Sequence, residues 1–473
     1  PRPLPNPDKN AYFGDLHVHT ENSFDAYTFG TISTPVDAYK YARGHAIQHP
    51  SGYLIQLSRP LDFYAVTDHG VFMGLMKEAA DTTSEFSKYE FTKPLHNLNE
   101  SGGTGFRDLI KRGGLFKPFG EKVREGVADG TIDESLILEV GRTVWQKTIK
   151  AADDAYVPGT FTTFAAYEYT SSFDLYDKYL HRNVIFKSTK NLPTRLFTRS
   201  DNQNPEALWD WMNGLRSNGV ESLAIPHNSN ISGGASFSLN DYNGGPIDEE
   251  YAKNRSLNEP LVEITQVKGT SETHPLLSKN DEWAAFEVKT GVEAEKLLSN
   301  LKGSYVRDAY LRGLTLSEKG LTNPYKFGLI GSSDAHVGGP SDTEEVFHSK
   351  VGLLDGTAEL RGSIPFNRFY GTFLKVLRPN ILKEVDGKNY FSASERLVQF
   401  AASGLAGVWA EENTREALYD AFRRKETFGT SGPRMKVRFF AGYDLENSKL
   451  DDLSLIQDAY ARSIPMGGTL NIE

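Results

Sequence analysis

The chain of 473 residues contains no cysteine. That absence removes disulfides, thiol catalysis, thiolate-rich zinc fingers and iron–sulfur clusters together. No run of 18 or more apolar residues occurs either, so no membrane-spanning helix is expected. Excess positive charge is also missing: 52 Lys and Arg stand against 62 Asp and Glu, for a net charge of -10. This argues against holding a nucleic acid polymer through bulk electrostatics. A small anionic partner stays compatible, because bound metal ions invert a local field. The glycines of SGGTGFRDLIKRGG (101–114) fit neither a Walker loop nor a dinucleotide fingerprint, and a flexible loop is expected there. No initiator Met or signal sequence precedes PRPLPNPDKN, and SIPMGGTLNIE looks like the start of a strand rather than a natural end. The expectation is a trimmed N terminus, a truncated C-terminal extension over 436–473, and an exported or periplasmic location in preference to a cytoplasmic one.

What is present is enough apolar material for a substantial core, with 28 Phe, 22 Tyr and a hydrophobic fraction of 38%. Short apolar runs recur at 11–19, 61–69, 160–168, 181–186, 222–227, 261–266 and 327–336, and most end in a charged or imidazole side chain. Helical patterns lie between several of them. Thr34-Pro35 and Asn204-Pro205 each offer an N-cap followed by proline at the first helical position. In the second helix Leu208, Trp211, Met212 and Leu215 have the spacing of a buried stripe. This alternation predicts an α/β fold with a parallel sheet, and about seven repeats suit a closed barrel. Residues 71–160 exceed a normal crossover and are expected to form a mainly helical insertion, a lid over the barrel mouth. The remaining barrel is expected over 1–70 and 161–435.

Two motifs near opposite ends of the chain carry the chemistry. GDLHVHT contains an HxH pair, His17 and His19, and GSSDAH contains a DxH pair, Asp334 and His336. On a strand, residues two apart project from one face, so each pair is a chelating edge. Asp15 lies one step deeper and can orient an imidazole. Asp25 follows closely, TDH supplies His69, Glu168 ends the third run, His181 begins the next, and His227 follows Pro226. Six of eleven histidines at strand ends, joined by carboxylates, are hard to explain as independent accidents. Imidazole and carboxylate are the ligand set of zinc, manganese or iron. His45 and His49 have helical ligand spacing but no accompanying Glu, and both are expected at the surface. The sequons at Asn99 and Asn230 are of the kind that occur by chance.

HVHTENSFDA, VTDHG, AAYE with HRN behind it, IPHN and GSSDAH, in this order, resemble the PHP (polymerase and histidinol phosphatase) superfamily. The long insertions and GLAGVWAEENTREAL resemble a larger branch of it known as a domain of unknown function. The resemblance implies a distorted seven-stranded (β/α)7 TIM-like barrel carrying a trinuclear site of two to three divalent transition-metal ions. It implies one ion on His17, His19, Glu168 and Asp334, a second on Glu168, His181 and His227, and a third on Asp25, His69 and His336. Glu168 would bridge two ions, and Asp68 would support the ligands from behind.

Two cations about 3.5–4 Å apart lower the pKa of a shared water from 15.7 toward about 7 and grip both oxygens of an in-line displacement. With the ligand count, the resemblance implies hydrolysis of a phosphate mono- or diester of a small molecule, with Glu168 and Asp334 at its centre. Arg182, Asn228 and Lys268 are candidates to contact an oxyanion, with a surface salt bridge the plainer reading for either cation. His274 is a candidate to protonate a leaving group, with a solvent-exposed histidine before Pro275 the plainer reading. A sulfate or phosphonate ester would suit the same cradle. The donor set is also compatible with an amidohydrolase-like C–N hydrolase and with a metal-binding module without catalysis.

Overall fold

The computed structural model describes residues 4–100, 106–172, 179–289, 300–341, 343–377, 379–391, 400, 403–443 and 454–471. The strands that frame the site are β1 (Asn10–Asp15), β2 (Phe63–Val66), β3 (Thr162–Tyr169), β4 (Arg182–Phe186), β5 (Ser222–Pro226), β6 (Leu261–Gln266), β7 (Gly269–Thr270), β8 (Gly328–Gly331), β9 (Leu405–Ala410) and β10 (Thr427–Thr430). The helices that matter here are α1 (Phe24–Thr28), α2 (Pro35–Ala42), α3 (Leu75–Ala80), α4 (Phe106–Ala128), α5 (Glu134–Ala155), α6 (Pro205–Ser217), α7 (Glu249–Asn258), α8 (Val306–Glu318), α9 (Arg368–Leu377) and α10 (Arg415–Arg424).

Seven strands form one curled sheet in the order β10-β9-β1-β2-β3-β4-β5, and a second sheet runs β8-β6-β7. The fold is mixed α/β with the large sheet curled into a half-barrel, and the expected parallel sheet is corrected in strand direction. Only β1, β2 and β3 run parallel in the large sheet, whereas β4, β5, β9 and β10 pair antiparallel with their neighbours. At the seam between the sheets β8 approaches β10 through glycine. A Cβ on Gly429 would meet the Gly331 nitrogen at 2.7 Å, and one on Gly331 would meet the Thr430 carbonyl oxygen at 2.7 Å. Bare backbone is what lets the two sheets close this tightly.

The concave side is filled by an inward row from every major strand, including Phe63, Phe164, Ile185, Leu261, Ile330 and Val408. Helix α10 closes it, with Phe422 set against Phe63 and Phe164 at ring distances of 6.0 and 5.6 Å. Strand periodicity then carries the inward row on to Glu168 beyond Phe164 and Ala166, and to Glu263 beyond Leu261.

The helix starts read from sequence hold in detail. Thr34 caps α2 in a reciprocal pair with Asp37, and the Asn204 side chain accepts from the Glu206 backbone at the start of α6. Leu208 and Met212 are buried as the stripe predicts, joined by Trp209, while Trp211 and Leu215 are partly buried. The described residues of 71–160 include α3, α4 and α5 with two short 3-10 turns. Gly113 and Gly114 correct the flexible-loop expectation: they lie inside α4, while 101–105 fall outside the described residues. His49 is a second correction. It is fully buried, stacked on Tyr53 at 4.3 Å and 2.8 Å from Ser349 Oγ, whereas His45 is exposed as expected. Helix α2 stops at Ala42, so the two never share a helix. The C-terminal SIPM run does enter a strand, as Ile464–Pro465 pairs with Phe440–Ala441.

Candidate metal centre

All nine residues proposed as ligands converge at one rim of the curled sheet. Strands β2, β3 and β5 end there, and β4, running the other way, begins there, which is why His181 precedes its strand while Glu168 ends one. The two chelating pairs do not lie on regular strand. β1 ends at Asp15 and β8 at Gly331, which corrects the expected extents. The segments beyond them run side by side, with Asp334 N donating to His17 O and His19 N donating to Ala335 O, both at 2.8 Å. Asp334 itself has φ of 58°, a left-handed conformation that is costly outside glycine and that clusters at functional sites.

Glu168 is the centre of the arrangement. Its Oε2 lies 3.5 Å from His17 Nε2, 3.3 Å from His19 Nε2 and 3.2 Å from His69 Nδ1. Its Oε1 lies 2.7 Å from His181 Nδ1 and 3.6 Å from His227 Nε2. Asp334 Oδ1 lies 3.6 and 3.4 Å from the Nε2 atoms of His17 and His19. Asp25, on α1, brings Oδ2 to 2.8 Å from His336 Nε2 and 3.3 Å from His69 Nε2. Three buried groups have ligand atoms close enough to share an ion: His17, Glu168 and His227; His17, His19 and Asp334; His19, His69 and His336.

Tautomers and orphaned atoms show that a metal fits this donor set. His19 Nδ1 is 2.9 Å from Ser23 Oγ, and that hydroxyl is committed to donating to Asp68, so the imidazole donates from Nδ1. His17 Nδ1 faces Glu263 Oε2 at 2.8 Å in the same way. Both rings thereby direct Nε2 into the cluster, and His17 Nε2, His19 Nε2 and both nitrogens of His227 are buried without a hydrogen-bond partner. Ligands about 2.1 Å from a tetrahedral ion stand about 3.4 Å apart, and the nitrogen–carboxylate separations around His17 and His19 run from 3.3 to 3.6 Å.

The electrostatics point the same way. Burial pushes the Glu168 carboxyl up, yet His69, His181 and His17 together hold it well below the usual carboxylate range. Burial pushes the His17 imidazolium down, and Glu263 and Asp334 outweigh it, lifting the ring to about 10. The surrounding carboxylates favour positive charge on this ring.

Asp68 holds the HTE turn, accepting from Thr20 N, Thr20 Oγ1 and Ser23 Oγ at 2.6, 2.6 and 2.7 Å. Asp15 accepts from the His17 and Ser333 backbones at 3.0 and 3.1 Å and so ties the two chelating segments together. Lys268 pairs with Asp334 Oδ2. Asn228 also adopts a left-handed conformation, with φ of 55°. Its Oδ1 accepts from Gln266 at 2.5 Å, and its Nδ2 is buried without a partner. Arg182 is different: it shares the outward parity of Val184 and Phe186, and its Nε donates to buried Glu259 at 2.8 Å. It stabilises the wall behind β4 and makes no hydrogen bond or ion pair with the cluster among the described residues. His274, half-buried, accepts from Leu276 N at 3.2 Å and lies 5.8 Å from the Tyr305 ring, and it makes no hydrogen bond or ion pair with the cluster among the described residues.

Three residues of the site carry weaker marks in the sequence or none. Glu263 is the lone acid in the buried run LVEITQ, a signal that a strand-end search passes over, and Gln266 closes the same run and donates to Asp334 Oδ2 at 3.0 Å. Lys350 has no signal. Its buried Nζ lies 3.2 Å from Asp334 Oδ1, 2.9 Å from Asp334 O and 3.0 Å from His336 Nδ1. Burial and neighbouring Lys268 lower it to about 8 against the pull of Asp334.

Fold and site together define an α/β protein whose strand ends converge on a buried histidine–carboxylate cluster able to hold metal. The chain belongs to the family described as Protein of unknown function (DUF3604), whose model matches residues 6–473. No curated protein and no solved structure matches it.

Proposed function

We propose that this protein is a metal-dependent hydrolase that cleaves a phosphate ester of a small molecule, on a distorted seven-stranded barrel plan of the PHP type. The observation that carries the proposal is the placement of Glu168. One carboxylate divides its two oxygens among five imidazoles, as a bridge between ions must. Ions held there supply an activated water and polarise the ester oxygens. His17, His19, Glu168 and Asp334 would hold one ion, Glu168, His181 and His227 a second, and Asp25, His69 and His336 a third.

The protein's own groups do the rest. Lys268 and Lys350 flank Asp334 with positive charge, and the unpartnered Asn228 Nδ2 is a preorganised donor for a tetrahedral oxyanion. Phe24 lies 5.1 Å from the His69 ring and stacks on Phe116 of the insertion at 5.7 Å, so helix α4 reaches the rim and restricts approach. The test is metal reconstitution with Zn, Mn and Fe, followed by a screen of phosphate monoesters, phosphodiesters, phosphonates and sulfate esters. Chelator-sensitive phosphoesterase activity with two to three ions per chain is expected. Fewer than one ion after reconstitution would overturn the proposal, and turnover confined to sulfate esters would move the substrate to that anion.

A further inference from the structure

The helical insertion does more than crowd the rim. Between α4, α5, the segment that follows His69 and the 195–203 loop lies a cavity of about 430 Å³, within the range of small-molecule sites. Its body is aliphatic, with Leu75, Val123, Val127, Ile137 and Leu196 among the lining side chains. Its charges are almost all of one sign. Arg124, Arg142, Arg195 and Arg199 line it against Glu134 alone, in a chain whose net charge is -10. Arg142 and Arg195 have surface partners in Glu139 and Asp201, while Arg124 has no carboxylate partner among the described residues.

Two backbone features mark the space as maintained. Gly141 lies inside α5, where glycine is a poor helix former, and a Cβ there would meet nothing within 4 Å. Packing alone would favour a side chain at that position. Phe72 adopts φ of 55°, a conformation that bulky residues rarely take. Phe72 lines the cavity, and its ring lies 6.1 Å from that of Phe24, which is 5.1 Å from the His69 ring.

We infer that this cavity is a binding site for a small amphipathic anion, a medium-chain carboxylate in chemical class, separate from the metal centre and independent of the proposed hydrolase activity. The aliphatic lining takes the chain and the arginine rim takes the carboxylate.

Decanoate titrated into the metal-loaded full chain by calorimetry tests this, with decylammonium as the charge-reversed probe. Gly141→Phe adds a ring at a lining position, Gly141→Ala adds only a methyl and favours the helix, and Arg124→Glu reverses one rim charge. Saturable decanoate binding is expected in the wild type and Gly141→Ala, weakened at least about tenfold in Gly141→Phe and Arg124→Glu, with unchanged metal content in all four proteins. Absence of saturable decanoate binding would overturn the inference. So would equal binding of decylammonium, or affinity unchanged in both Gly141→Phe and Arg124→Glu. Should Gly141→Phe fail to fold, Arg124→Glu and the charge-reversed probe decide alone.

Discussion

Glu168→Gln is the sharpest perturbation this centre allows. The substitution roughly preserves volume and exchanges one carboxylate oxygen for an amide nitrogen. Whichever way the amide turns, nitrogen faces either His181 and His227 or His17, His19 and His69, the two sets that the wild-type oxygens serve separately. An amide nitrogen cannot ligate a cation, so the shared ion pair should be lost, while the near-equal volume spares the fold. His69→Ala, by contrast, removes a ligand whose Nε2 faces Asp25, and should deplete mainly one ion. Loss of two-ion activation is expected to lower the rate by at least about three decades, about 4 kcal/mol of transition-state stabilisation. The assay pairs elemental analysis with single-turnover rates on the best substrate of the ester screen, with circular dichroism to verify folding. Glu168→Gln retaining all its metal and more than a tenth of the wild-type rate would refute a bridging role.

Glu263→Gln should weaken metal binding about 10- to 100-fold, because its carboxylate orients His17 through Nδ1 at 2.8 Å; competition with a chelator measures it, and unchanged affinity would remove Glu263 from the site. Lys350→Met should retain metal yet lower kcat at least about tenfold, since it strips a buried cation from Asp334; an unchanged kcat would make Lys350 merely structural. Gly331→Ala should destabilise by about 1–3 kcal/mol, because its Cβ would meet backbone oxygens of Thr430 and Leu405 at 2.7 and 2.8 Å; a thermal melt equal to wild type would contradict the close seam. His49, lowered by burial first and then by His348 and Arg361, titrates at about 3 in the fold against an ordinary value of 6.5. It therefore adds stability that is present above pH 6.5 and lost as pH falls toward about 3. Metal-free His49→Gln should lose less stability than the metal-free wild type between about pH 7 and 4.5 in urea titrations, and parallel losses would count against the buried neutral ring.

Strand and helix periods are local properties, and so are caps. The α2 and α6 starts, the inward stripe of α6 and most strand positions were legible for that reason. So was the candidate ligand set, because donor residues placed just where apolar runs end mark a rim whatever the topology. Direction and closure were not legible. Nothing in HRNVIF states that β4 runs against β3, and the GLAGVWA run that becomes β9 carries no mark of its pairing with β1, although the two are in register over five positions. The glycine seam depends on two backbones meeting across about a hundred residues of chain. His49 looked like a surface residue because its cover, Ser349 and His348, lies three hundred positions away.

By itself, then, the sequence determined the donor chemistry: imidazoles and carboxylates without thiols, spaced to project together at strand ends. The tertiary structure alone decided which donors share an atom and what supports them. Glu168 reaches five histidines, Glu263 reaches back 246 positions to His17, and Lys350 enters from a loop with no motif of its own. The physical reason is range. Periodicity acts over a few residues, whereas a coordination shell is assembled within a few ångströms by segments whose separation along the chain carries no information about their separation in space.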